Sequence, residues 1–243
     1  MENIIVKPKK MMKISELFSL SFKIYDNKFW SLMGLVVFPG LTFLVLFVFF
    51  VLLTDLLPNG AILTSPVIIL FSILAATMFL ACILVNILSK IALFLVIKEN
   101  PDKFSIIAML KKSKPYFGSY LWLIFLSGIL VALWTMLFII PGIIFMIYYS
   151  LSIWVFLDLG LKGKEALNKS KELIKGYWWA VFGKFMIPFI SMFIIIIPSS
   201  FVEPKSQAAN AYSFVISIFS ILVTPFFTAY IFNIYKNLKE IKA

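Results

Sequence analysis

Six long apolar stretches, separated by shorter polar segments, dominate the chain. Each falls within or near the roughly 17–25 residues that a helix needs to cross the hydrocarbon core of a bilayer. The stretches cover residues 29–53, 66–88, 120–140, 143–159, 178–197 and 212–232. The pattern predicts an all-α polytopic bundle of six transmembrane helices that forms a single integral membrane domain over residues 1–243.

Two boundaries in this pattern allow alternatives. Only Pro141 and Gly142 separate the third and fourth stretches, which predicts a tight hairpin there or, alternatively, one kinked helix of about 40 residues, too long for a single crossing. Apolar residues also continue beyond Leu88. We expect residues 89–98 to leave the bilayer along its interface, with Lys90 reaching to the headgroups.

Lysine positions predict the orientation. Only Lys205 lies on one side of the six stretches, and Lys184 lies inside the fifth. The remaining lysines form four clusters on the other side: Lys7, Lys9, Lys10, Lys13, Lys23 and Lys28; Lys90, Lys98, Lys103, Lys111, Lys112 and Lys114; Lys162, Lys164, Lys169, Lys171 and Lys175; Lys236, Lys239 and Lys242. The positive-inside rule then places both termini in the cytoplasm.

Composition narrows the chemistry. The chain is 62% hydrophobic and carries a net charge of +11, and all 22 basic residues are lysine. Without histidine or arginine it has no Ser-His-Asp triad, no Cys-His pair and no arginine clamp for phosphate. The lysines flank spans and face lipid headgroups by default, so no nucleic-acid role is expected. We therefore predict a protein that is not an enzyme and needs no cofactor or metal.

One pattern occurs three times, each time leading into an odd-numbered stretch. Two apolar residues are followed after a gap of two by a serine, after another gap of two by two more apolar residues, and after a gap of four by a tryptophan. The three copies are Leu17-Phe18, Ser21, Ile24-Tyr25 and Trp30; Met109-Leu110, Ser113, Tyr116-Phe117 and Trp122; Ala166-Leu167, Ser170, Leu173-Ile174 and Trp179. Each predicts an amphipathic interfacial helix followed by an aromatic anchor and two spans. The helices either offer a docking or lipid-sensing surface or act as elbows that set the angle of the next span.

Polar groups and prolines within the stretches are the candidates for intramembrane function. Asp158 and Lys184 both fall near the lysine-rich boundary, where they either form an ion pair or extend to the headgroups. Pro39, Pro188 and Pro225 interrupt apolar stretches. Broken helices of this kind can frame a transport site, although proline is also common in ordinary membrane helices.

One region carries a recognisable family pattern. Its residues are Pro141, Gly142, Glu165, Ala166, Leu167, Ser170, Lys175, Gly176, Trp178 and Trp179. The run resembles the YciC-like superfamily of bacterial polytopic membrane proteins, which is similar to the membrane domain attached to some glycerophosphoryl diester phosphodiesterases. The resemblance implies a bacterial cytoplasmic (inner) membrane protein. It implies no phosphodiesterase activity, because that activity belongs to a separate barrel domain with catalytic histidines.

Two functional hypotheses follow. The first is a non-catalytic membrane module that acts in envelope lipid organisation or as the binding subunit for a cytoplasmic or membrane protein partner. The second is a transporter or permease subunit coupled through its cytoplasmic helices.

Overall fold

The computed structural model describes residues 10–56, 66–101, 104–197 and 206–243. About 90% of the structure is helical, and the described residues form no strand. The helices within the described part are α1 (Ile14–Asn27), α2 (Phe29–Leu56), α3 (Pro66–Glu99), α4 (Ile106–Ser113), α5 (Phe117–Leu137), α6 (Ile139–Tyr149), α7 (Ser152–Leu159), α8 (Gly163–Ile174), α9 (Trp178–Ile196) and α10 (Gln207–Lys242). A 3₁₀ turn over Lys114–Tyr116 joins α4 to α5.

Six of these segments are long and apolar enough to cross a membrane, which confirms the predicted all-α polytopic fold. They are built on α2, α3, α5, α6 with α7, α9 and α10. Outside the lysine-rich end, much of their apolar surface lies on the outside of the bundle, as at Phe47, Leu70 and Phe214. An apolar surface of this extent suits lipid and not water.

The third and fourth apolar stretches form a hairpin and not one kinked helix. The chain reverses at Phe138, whose backbone is extended, and Trp134 of α5 then stacks on Phe145 of α6 with ring centroids 4.5 Å apart. The predicted turn position was therefore wrong by about three residues, because Pro141 and Gly142 lie in the first turn of α6. Proline fits a first helical turn, where a backbone donor is not needed.

The fourth span also differs from the prediction, which began it at residue 143. The fourth span begins at Ile139 and is interrupted at Ser150-Leu151, where α6 gives way to α7.

The prolines at 39, 188 and 225 do not break their spans, because α2, α9 and α10 continue past them. In two of these helices a nearby hydroxyl group donates to the carbonyl of the proline: Thr42 to Pro39 at 2.7 Å, and Ser191 to Pro188 at 2.9 Å.

Residues 89–98 do not run along the interface as predicted. They continue α3 without a break, and Ile91, Leu95 and Val96 are fully buried. The segment packs against α4, α7 and α10, so its apolar side chains are covered by protein instead of lipid. Hydropathy alone does not distinguish these two apolar environments, which is why the prediction failed.

The three predicted repeat units are arranged in a closed cyclic order. Each short helix packs on the second span of the preceding unit: α4 on α3, α8 on α7, and α1 on α10. Each first span also contacts the second span of the preceding unit, in the pairs α5 and α3, α9 and α6, and α2 and α10. The sequence repeat therefore corresponds to a structural one.

The main core lies at the lysine-rich end of the bundle, where the short helices meet the extended ends of α3, α7 and α10. Its members include Leu17, Ile91, Trp154, Leu167 and Tyr230, all of them fully or almost fully buried. Burial of large apolar side chains contributes about 1.5–3 kcal/mol each. The buried core of the described residues is therefore concentrated at this end, where it positions the polar groups described below.

Candidate functional site at the lysine-rich end

The repeated serines lie on the buried faces of the three short helices. Ser21, Ser113 and Ser170 are all fully buried. The Ser21 hydroxyl group accepts a 2.9 Å hydrogen bond from Asn233 Nδ2 of α10, and Ser170 Oγ donates a 2.6 Å bond to the carbonyl oxygen of Tyr148 in α6. Ser113 Oγ donates within its own helix, to the Met109 carbonyl oxygen. A small side chain at this position lets each helix approach its neighbour closely.

The repeated tryptophans lie on the outside. The exposed fractions of Trp30, Trp122 and Trp179 are 85%, 55% and 79%. Such a large, exposed aromatic ring directly beside a lysine cluster is typical of the headgroup region of a membrane. The alternation of buried serine and exposed tryptophan is thus common to all three units.

The α8 helix places its apolar face in the core, which favours the elbow interpretation for this helix. In α8 the buried side chains are Ala166, Leu167, Ser170, Leu173 and Ile174. The outward face of the same helix is polar and includes Lys164, Glu165, Asn168 and Lys171. An apolar docking or lipid-sensing face is therefore not offered by α8, and any contact with a partner would use its polar side.

The residues of the family-like motif form a structural junction. Gly142 lies against Thr135 across the α5–α6 hairpin, and Trp178 Nε1 donates a 3.3 Å bond to the Ile144 carbonyl oxygen. Together with the hydrogen bond from Ser170 to the Tyr148 carbonyl oxygen, these contacts attach α8 and α9 to α6. Lys175 and Gly176 are exposed where the chain turns from α8 into α9, and Gly176 has a φ of 91° that favours glycine. The motif thus holds helices together.

Asp158 does not pair with Lys184, contrary to one of the two predicted alternatives. Its carboxylate accepts a 2.8 Å hydrogen bond from the Tyr235 hydroxyl group, and it also pairs with Lys239. Lys98 Nζ lies 3.9 Å from the other carboxylate oxygen and donates to the Leu157 carbonyl oxygen. The Asp158 cluster, formed by Asp158, Lys98, Tyr235 and Lys239, therefore joins the second spans of all three units.

Lys184 lies elsewhere, in the interface between α9 and α10. The Tyr230 hydroxyl group of α10 contacts the Lys184 backbone oxygen at 3.4 Å, and the Lys184 side chain is mostly buried. No carboxylate of the described residues lies within ion-pair distance of it. The two candidate intramembrane charges are therefore not brought together.

A polar cleft of about 500 Å³ opens at this end, between α1, the end of α3 and α10. We call it the α1–α3–α10 cleft. It is lined by Met12, Leu20, Lys23, Ile24, Asn27, Ile97, Lys98, Asn100, Phe232, Asn233, Lys236, Asn237 and Glu240. A second cavity of about 350 Å³, beside the Asp158 cluster, shares Lys98, Phe232, Lys236 and Glu240 with it. The two spaces therefore adjoin each other at the lysine-rich end.

Sequence reasoning did not single out the residues of this cleft. The lysines were recognised only as topological signals, because they come from α1, α3 and α10 and meet only in the folded chain. Spacing offered one clue: Tyr235 and Lys239 are four residues apart and therefore lie on one face of α10. The bond from Asn233 of α10 to Ser21 of α1 is of the kind by which amide side chains hold membrane helices together.

Comparison with protein-family models, with curated proteins and with solved structures gives no match to this chain. The resemblance to the YciC-like superfamily therefore stays a prediction. Among the described residues there is also no group of three or more His, Cys, Asp or Glu side chains that could hold a metal ion. What can be inferred about function thus comes from the geometry of the lysine-rich end.

Proposed function

We propose that this protein is a non-catalytic membrane module that gathers anionic phospholipid at its lysine-rich end. One observation carries the proposal: the folded chain brings lysines from separate clusters together at the end of the bundle where the short helices pack. Lys23, Lys98 and Lys236 line one cleft, and Lys242 donates to the Lys175 carbonyl oxygen. The exposed tryptophans support the proposal, because such rings beside lysines are typical of headgroup depth.

The electrostatics favour an anionic lipid. A lysine held near a membrane surface that contains anionic lipid gains about 1 kcal/mol. Several lysines on one rigid surface act together, because the fold and not the lipid holds them in place. The α8 helix turns its polar face outward, so that its lysines are available to headgroups while its apolar face supports the core.

Orientation is part of the proposal. The positive-inside rule places the lysine-rich end and both termini on the cytoplasmic side of a bacterial inner membrane. Anionic lipid gives that leaflet a negative surface potential. The resemblance to the YciC-like superfamily supports the same location and adds no catalytic step.

Native mass spectrometry of the protein in a mild detergent tests the proposal. We expect bound phospholipid to persist through purification, and anionic species to be enriched over their share of the source membrane. Retention in proportion to the membrane composition, or no retention, would contradict it. Enrichment of a protein instead of a lipid would favour the partner-binding role.

A transporter subunit is the second candidate, and one observation favours it. The fourth span is interrupted at Ser150-Leu151 beside a cavity of about 300 Å³ whose lining includes Ser127, Tyr149 and Ser152. Interrupted helices with hydroxyl groups can line a solute path. A cysteine placed at Ser152 would then react with a membrane-impermeant thiol reagent. The lipid-gathering module predicts that this position does not react.

A further inference from the structure

We infer that the α1–α3–α10 cleft is a binding site for a phosphate ester, and that its ligand in the membrane is the headgroup phosphate of an anionic phospholipid. This inference rests on the proposed function and names the site where one lipid is held. A soluble compound could also carry a phosphate ester. The experiment below therefore separates the lipid from a soluble source.

The charge of the cleft favours an anion. Three ammonium groups line it, from Lys23 of α1, Lys98 of α3 and Lys236 of α10. Among the described residues of the lining, Glu240 is the only one with a carboxylate. The formal charge of the lining is therefore positive. Like charges gathered on one concave surface repel each other, and a bound anion removes that repulsion.

The three lysines are not equally engaged. Lys98 is held in place by the Leu157 carbonyl oxygen and lies near Asp158, whose carboxylate also binds Lys239 and Tyr235. Within the described part of the chain, Lys23 and Lys236 form no hydrogen bond or ion pair through their side chains. The fold thus fixes one partly buried ammonium group in the cleft and leaves two exposed ones free to bind a ligand.

Amide groups complete the polar lining. Asn237 is buried, and its Oδ1 accepts a 3.0 Å hydrogen bond from the Met12 backbone, which leaves its NH₂ group as a donor. Asn27 and Asn100 lie at the ends of α1 and α3, and Asn100 has a φ of 47°. Neutral donors beside ammonium groups suit phosphate oxygens, which accept several hydrogen bonds at once.

One side of the cleft is apolar, and this favours a lipid over a soluble phosphate. Leu20, Ile24 and Phe232 line it together with the polar groups. A soluble phosphate would leave that surface in contact with water. A phospholipid would cover it with its glycerol and the first acyl carbons, and burial of apolar area at about 25 cal/mol per Å² then adds to the affinity.

The test uses full-length protein in nanodiscs with a Lys23→Gln/Lys236→Gln variant. The matched control is Lys111→Gln/Lys164→Gln, which removes the same charge from exposed lysines of α4 and α8 that do not line the cleft. The affinity for phosphatidylglycerol is measured by titration into zwitterionic nanodiscs. We expect it to fall at least tenfold in the cleft variant and less than twofold in the control.

Separate arms identify the source of the phosphate and guard against misfolding. Inorganic phosphate and glycerol 3-phosphate are titrated into wild-type protein, and we expect them to bind at least tenfold more weakly than the lipid. Lys23→Arg/Lys236→Arg retains the charge and should keep lipid affinity within threefold. Thermal unfolding of all variants shows whether the fold is retained.

The outcomes separate the site from the proposed function. If wild-type protein prefers anionic lipid but the cleft variant binds as tightly as the control, the site assignment is wrong and the proposed function stands. If wild-type protein shows no preference, the proposed function fails as well. Soluble phosphate that binds as tightly as the lipid, and only when Lys23 and Lys236 are present, would contradict the lipid as the ligand.

Discussion

Tyr235 and Asp158 are 77 positions apart in the sequence, yet the Tyr235 hydroxyl group donates a 2.8 Å hydrogen bond to the Asp158 carboxylate. The same carboxylate pairs with Lys239 and approaches Lys98. Since Lys98, Asp158 and Tyr235 come from α3, α7 and α10, this cluster links the second spans of all three units at the lysine-rich end. The cleft beside it depends on that arrangement.

Asp158→Asn tests how much the Asp158 cluster stabilises the folded protein. The change removes the negative charge but keeps the shape, so that the ammonium groups of Lys98 and Lys239 lose their partner. Because the Asp158 side chain is 23% exposed, we expect a loss of about 1–2 kcal/mol in the free energy of unfolding, below the 3–5 kcal/mol typical of a fully buried pair. Denaturation in detergent measures it. Glu172→Gln, which removes an exposed pair with Lys169, should cost less than about 0.5 kcal/mol.

Ser170 tests the role of the small residue in the repeat. Replacement by leucine inserts a large side chain where α8 meets α6, and we expect it to destabilise the protein by about 1–3 kcal/mol. Ser170→Ala should cost about 1 kcal/mol, since it removes only the hydrogen bond to the Tyr148 carbonyl oxygen. Asn168→Leu, on the exposed face of the same helix, is the control. An equal loss in Asn168→Leu and Ser170→Leu would contradict the packing explanation.

Gly142→Ala tests the close approach within the α5–α6 hairpin. A methyl group at this position would lie 2.8 Å from the Thr135 Cα atom, which cannot move aside without the backbone. We expect a loss of about 1–3 kcal/mol in unfolding free energy, and only partial recovery when Thr135→Ala is added. Gly128→Ala has nothing within 4 Å of the added methyl group, so that it should be close to neutral. A neutral Gly142→Ala would show that the hairpin is more loosely packed than described.

Cysteine labelling in intact cells tests the orientation. The native Cys82 is buried, and replacing it by alanine gives a cysteine-free background. A cysteine at Asn168, exposed on α8, should react with a membrane-impermeant reagent only after the membrane is permeabilised. A cysteine at Gln207, at the opposite end of the bundle, should react in intact cells. The reverse pattern would overturn the orientation drawn from the lysines.

Much of the fold could be predicted from the sequence, because local signals specify it. Hydropathy identified six spans, and the serine and tryptophan spacing identified three short helices with one buried face. The extended core segments could not be predicted in the same way. Ile91 and Leu95 are as apolar as residues that face lipid, and only the packing of α4, α7 and α10 shows which environment surrounds them.

The candidate site was harder to predict than the fold. Asp158 was recognised as a charge near a membrane boundary, but its partners come from α3 and α10 and no local spacing connects them to it. Likewise Lys23 and Lys236 belong to different lysine clusters, and only the packing of α1 on α10 brings them to one cleft. The sequence pattern indicated which side carries the lysines, but not which lysines share a ligand.

Quenching of tryptophan fluorescence by brominated lipid tests the central proposal most directly. Trp30, Trp122 and Trp179 are exposed at the lysine-rich end, so that lipid gathered there lies within reach of them. In bilayers of fixed composition, bromine is carried on the acyl chains of either phosphatidylglycerol or phosphatidylcholine. We expect brominated phosphatidylglycerol to quench more strongly than its mole fraction predicts, and the excess to disappear at high salt. Equal quenching by the two lipids at equal mole fraction would contradict the proposal that this protein gathers anionic phospholipid.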